Sequence, residues 1–248
     1  MSSTTPDMTP VIPTLFPVTD AMPVFRQIIL SGTLAGLIVG IVLTIVQHFG
    51  TIPLILQAEV YEQAEEAKQG HDHGDHEAWQ PADGFERNAY TALFNLVEWI
   101  GFGFVLAGGL ALSKRQIDWR EGFLWGLAGF LTFVAGPALG LPPELPGIPA
   151  SPLEPRQVWW ICTAAATAGG LYLIAFKRSP AAAVAAILLL AAPHLVGAPH
   201  PDSTETEVPE ILTHRFVITV ALTTLLSWSL LGGLTGYFYR RLASHGSA

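Results

Sequence analysis

The chain has 248 residues, of which 50% are hydrophobic and 13% charged, about half the charged share that soluble domains carry. That balance excludes an ordinary soluble enzyme, and a formal net charge of −8 speaks against a nucleic-acid partner. A single cysteine, Cys162, excludes a disulfide framework, a CxxC redox pair and a thiolate metal cluster.

In chain order, residues 1–24 hold five prolines and no hydrophobic periodicity, and read as a disordered tail. Six apolar blocks follow, at 26–47, 88–112, 121–140, 157–176, 180–198 and 215–238. Each approaches the ~20 residues that a helix needs to cross about 30 Å of hydrocarbon. The expected fold is therefore all-α, a polytopic membrane bundle of about six transmembrane helices. Residues 25–242 form the membrane domain, with a histidine- and acid-rich outer loop at 48–87, and 243–248 form a short C-terminal tail. The fifth block is the weakest, because Pro193 and His194 interrupt it. Gly32, Gly36 and Gly40, Gly122 and Gly126, and Gly232 and Gly236 recur at four-residue spacing, the pattern that lets membrane helices approach closely.

Basic residues set the orientation. With the N-terminus inside, Arg26, Lys114, Arg115, Arg120, Lys177, Arg178, Arg240 and Arg241 lie at cytoplasmic ends, and Lys68, Arg87, Arg156 and Arg215 outside. Eight against four follows the positive-inside rule and places both termini in the cytoplasm. The outer loops then hold 15 of the 20 carboxylates, and all histidines except His245 lie outside or at the outer boundary. An anionic, imidazole-rich entrance of this kind concentrates cations.

Three groups of residues could carry chemistry. The run Gly70-His71-Asp72-His73-Gly74-Asp75-His76-Glu77 supplies imidazoles and carboxylates, which suit divalent metals such as Co²⁺, Ni²⁺ and Zn²⁺. Its structural alternative is a solvated linker. Glu98 is the one charge inside an apolar block. It lies near the midplane, where a charge costs at least ~2.5 kcal/mol. Thr91, Asn95 and Glu98, at i, i+4 and i+7, make a polar stripe expected to face the bundle interior. The alternative for Glu98 is a protonated structural hydrogen bond. The third group is His194 and His200 in the proline- and glycine-broken stretch 193–200, with Glu210 and His214 one turn apart beyond it. Glu59 and Glu62, just after block one, are further candidate ligands. No Gly-Lys pair, His-Glu-x-x-His or Gly-x-Ser-x-Gly occurs, so no P-loop, zinc-protease or serine-hydrolase motif is present, and an enzyme is not expected.

Several segments together resemble one family. Pro53-Leu54-Ile55-Leu56-Gln57-Ala58-Glu59-Val60-Tyr61-Glu62, Trp79-x-Pro81-Ala82-Asp83-Gly84-x-Glu86-Arg87, Pro193-His194-Leu195-Val196-Gly197-Ala198-Pro199 and a glycine-rich last helix ending Tyr239-Arg240-Arg241 look like the CbtA family of predicted cobalt transporter subunits. The resemblance spans about residues 24–242. It implies a multi-pass plasma-membrane protein for cobalt uptake; the reading adopted is a Co²⁺, or Ni²⁺, import subunit with no bound cofactor and, for want of a P-loop, no ATPase of its own. It also implies a partner of the CbtB type, a small single-span subunit bearing histidines. The metal-handling residues expected on this reading are Glu98, His194, His200, His214, Glu59, His71, His73 and His76. The alternative is a membrane scaffold that binds metal and supports a partner permease. An intramembrane metalloenzyme ranks third.

Overall fold

The computed structural model describes residues 18–69, 81–113 and 117–245. Among these residues helices are the regular elements and there is no strand, as the sequence leads one to expect. Helix α1 (Val18–Phe49) ends at Gly50 and is followed directly by α2 (Thr51–Gln69). Helix α3 is Phe85–Ser113. Helix α4 (Trp119–Phe130) runs through a π turn at Leu131–Ala135 into a last turn at Gly136–Ala138. Helices α5 (Leu153–Phe176), α6 (Pro180–Val196) and α7 (Glu210–His245) complete the chain.

Four stretches are individually long and apolar enough to span a bilayer: Pro23–Phe49, Phe85–Ser113, Leu153–Phe176 and Glu210–Ser244. The other two expected spans are modified. At 17 residues, α6 rises about 26 Å, because Pro193 lies in its last turn and Gly197, at φ +88°, ends it. The 121–140 block is interrupted by its π turn. Two further differences stand out. The outer loop expected over 48–87 begins as a helix, α2, and α1 starts at Val18, inside the stretch read as an irregular tail.

Lipid tails are as apolar as leucine, so close packing and not hydrophobicity must hold these helices together. The spaced glycines supply it. A Cβ on Gly36 would sit 2.5 Å from the Ile100 Cα, so α1 and α3 touch backbone to backbone. A Cβ on Gly232 would fall 2.6 Å from the Gly126 Cα, which joins α7 to α4 in the same way. Helix α1 thus lies between α3 and α7, α7 packs along α4, and α6 packs on α5. The centre is filled by Ala35, Val39 and Leu43 of α1, Trp99 and Leu106 of α3, and Trp228 and Leu231 of α7. Phe133, in the π turn, stacks on Trp228 with ring centroids 5.5 Å apart.

A second apolar cluster joins Ala58 of α2 to Leu145, Val208, Leu212 and Phe216. The three segments expected on the outer side therefore gather at one end of the bundle. At the opposite end, Asp118 caps α4, its carboxylate accepting N–H bonds from Arg120 (2.8 Å) and Glu121 (3.0 Å).

Candidate functional site

The end of the bundle expected to lie outside is built around α2. Its side chains bind the other outer segments with polar contacts that spacing alone does not reveal. Arg87, at the start of α3, reaches back to Glu59 with both terminal nitrogens, its Nη1 lying 3.1 Å from Oε2. It also approaches Asp83 at 3.5 Å. The two family-like segments, 53–62 and 79–87, are thereby joined by a bidentate ion pair. One turn along α2, Glu62 accepts the Gly147 N–H at 3.2 Å, and Thr206 donates to the Gly147 carbonyl at 2.7 Å. Gly147 adopts φ +76°, a conformation that residues with a Cβ disfavour. Glu144 pairs with Arg156 at 3.4 Å beside an open cleft of about 600 Å³, and Lys68 pairs with Glu207 at 3.5 Å. Several carboxylates of the expected entrance are thus committed to basic partners or to backbone.

The expected ligands are held apart. His194 is half-buried, its ring edge-on to Trp159 at 5.9 Å, while the Trp159 indole donates to the Pro193 carbonyl at 3.2 Å. His200 is exposed on the irregular segment after α6. His214 lies 3.6 Å from Glu210, and both are well exposed on the first turns of α7. Glu59 is occupied by Arg87. Among the described residues, no group of three or more His, Cys, Asp or Glu is arranged to hold a metal ion. His71, His73 and His76 lie outside the described residues.

Glu98 requires a correction. It sits midway along α3, about 20 Å from either end at 1.5 Å per residue, as expected for the midplane. It does not face the bundle interior. Asn95 and Trp99 are buried, at 4% and 3% exposure, whereas Glu98 is exposed and has no hydrogen-bond or ion-pair partner among the described residues. Residues 95 and 98 differ by about 60° around a 3.6-residue helix, enough to carry Glu98 past the edge of the contact with α1. The polar stripe therefore splits. Asn95 turns inward and donates to the Gln47 Oε1 (2.7 Å) and the Thr44 Oγ1 (3.1 Å) of α1, and Thr91 bonds back to the Arg87 carbonyl. Gln47 had no place in the sequence reading. The available signal was an uncharged amide near the outer end of block one, in helical register with Thr44.

A bundle with four full-length apolar spans and glycine-packed helices is an integral, multi-pass membrane protein. The chain belongs to the CbtA family, described as a probable cobalt transporter subunit, which matches residues 25–240. No curated protein and no solved structure matches it.

Proposed function

We propose that this subunit carries Co²⁺ inward across the plasma membrane, with Ni²⁺ as a second cargo of similar ligand chemistry. The observation that carries the reading is family membership over residues 25–240, and the expected orientation, which puts 15 of the 20 carboxylates outside, supports it. Both termini are cytoplasmic, so the acidic segments and the loop bearing His71, His73 and His76 meet the ion first. His194, His200 and His214 line the approach and exchange imidazole for water on the ion. Glu98 neutralises it at mid-membrane. Glu59 acts less as a ligand than as the partner that holds Arg87. No ATPase is needed, since a divalent cation gains about 4.6 kcal/mol across about 100 mV, inside negative. A small single-span, histidine-bearing subunit of the CbtB type completes the transporter. The separation of the ligands within one chain favours a second reading, a scaffold that supports a partner permease. Radiolabelled Co²⁺ uptake into proteoliposomes, with and without the small subunit, separates the two. Uptake that depends on this chain and falls in Glu98→Gln supports transport. Wild-type uptake by the small subunit alone overturns it.

A further inference from the structure

We propose that the outward face of α3 is the contact surface for a second copy of this chain, and that two Glu98 carboxylates, one from each copy, hold a single divalent cation between them at mid-membrane. The inference rests on the cation-transport reading above and adds what completes the site.

The face has three properties that a lipid-facing helix surface lacks together. It carries the carboxylate deepest in the membrane, and intramembrane ionisable side chains face a protein interior or a cavity in assembled proteins. Within one chain Glu98 does neither, and it is flanked by Phe94 and Val97, themselves 71% and 63% exposed. Next, α3 carries glycines on both sides. Gly103, on the inner side, is closed by the backbone of Gly32 across the α1 contact. Gly101 and Gly108 have nothing within 4 Å of where a Cβ would stand. Gly101 is one turn from Glu98 and leaves a notch beside the carboxylate, and Gly108 repeats that notch two turns further along. Small residues at a membrane helix surface let a neighbouring helix approach closely, and Gly103 has such a neighbour within the chain whereas Gly101 and Gly108 have none. Finally, the remainder of the face is apolar: Val105 and Leu112 are 57% and 62% exposed.

Charge decides the occupant. One Glu98 offers a single negative charge to a cation that carries two. A two-fold axis along the membrane normal places a residue opposite itself at the same depth, so two copies supply two matched carboxylates at the level where water is absent. Nothing in this chain fixes the depth of a charge on an unrelated helix. Without the ion, the two carboxylates repel, and the pair closes fully only when it is loaded or protonated.

The test is cross-linking in native membranes of the full chain in which Cys162, its only cysteine, is replaced by alanine. Val105→Cys reports the α3 face, and Ile187→Cys, on the exposed side of α6, serves as control. A short bis-maleimide should join two copies through residue 105 and not through 187, and CoCl₂ should raise the joined fraction. Adding Glu98→Gln should raise cross-linking without metal, because the repulsion is gone, and should abolish the response to Co²⁺. Absence of a pair at 105, capture there of a smaller protein instead of a second copy, or a Co²⁺ response that survives Glu98→Gln would each overturn the proposal. Uptake is measured separately. A pair that responds to Co²⁺ in a chain that moves none would sink the transport reading and leave this surface standing.

Discussion

At the scale of single residues, the structure shows charged groups that hold the fold. The Glu59–Arg87 pair is half-buried, with side chains 24% and 34% exposed, and bidentate geometry makes such pairs stronger than ordinary surface bridges. Glu59→Gln and Arg87→Gln should each lower the unfolding temperature in detergent, by the equivalent of about 1 kcal/mol. The double variant should lose less than the sum, since neither charge is then left unpaired. Additive losses would show that the two residues do not act as a pair. The opposite behaviour is expected at His71, His73 and His76. They sit in a run whose imidazoles and carboxylates suit gathering a divalent ion, and their changes to alanine should raise the Co²⁺ concentration for half-maximal uptake and leave the maximal rate nearly unchanged. Abolished uptake at saturating metal, with normal protein abundance, would make these histidines essential instead. Asn95 was legible as a polar residue in an apolar block. Its partners Gln47 and Thr44 were not, because the sequence does not reveal which helix faces which.

At the scale of elements, the glycine rows were readable and the interruptions were not. A four-residue spacing of small side chains has one physical use in a membrane helix, and α1 with α3 and α4 with α7 use it. Gly36→Leu should therefore prevent recovery of folded protein, because its Cβ alone already collides with the Ile100 backbone. Gly233→Ala should be tolerated, since the nearest atom to its Cβ is the Trp119 carbonyl oxygen at 3.9 Å. Recovery of folded Gly36→Leu would contradict the packing. The start of α4 gives a prediction in pH. Asp118 accepts the Glu121 N–H and then the Arg120 N–H, with the charges of Arg120 and Arg240 nearby, and these hold its carboxyl below the usual carboxylate range. Folding favours the ionised form, so its contribution is complete above the ordinary aspartate pKa and is lost as the pH falls through the lowered one. Asp118→Asn, which can still cap the helix, should unfold with a flatter acid dependence, and Asp118→Ala should be less stable even at neutral pH. An unchanged acid profile in Asp118→Asn would remove the cap from the account. The residues of the π turn at Leu131–Ala135 are ordinary apolar ones, and the one mark near it is Pro137, two residues on, which has no N–H to donate to the Phe133 carbonyl. Helix α2 was hidden for a different reason. Its second half is charged and it follows a glycine, so composition read as loop what the Leu145, Val208 and Phe216 cluster makes a packed helix.

At the scale of the whole molecule, hydrophobic length alone made the class legible, because lipid imposes a span of about 20 residues that no soluble fold requires. The number of crossings needs more argument, since α6 is short and α4 is interrupted. Two observations support an even number. Residues of α2, of the segment around Leu145 and Gly147, and of the segment around Thr206 and Val208 meet at one end, through one apolar cluster and the Glu62–Gly147–Thr206 bonds. At the other end, the Asp118 backbone lies against Gly236 of α7. With Leu153–Phe176 as a full-length span between two segments that meet at the same end, we infer that α4 and α6 cross as well, so that six crossings would return the C-terminus to the side of the N-terminus. On the positive-inside rule, the eight-to-four excess of basic residues leads us to propose that this side is the cytoplasm. Reporter fusions after residues 80, 118, 150, 178, 205 and 248 should accordingly read out, in, out, in, out, in. The fusion after 205 is the most informative, because residue 205 changes side according to whether α6 (Pro180–Val196) crosses, whereas residue 178 precedes α6 and reads in either way. Were α6 to lie on the surface instead of crossing, 178 and 205 would report the same side, and the fusion at 248 would be active only outside the cell. That pattern would leave five crossings and would place the Arg240–Arg241 pair on the side where basic residues are scarce.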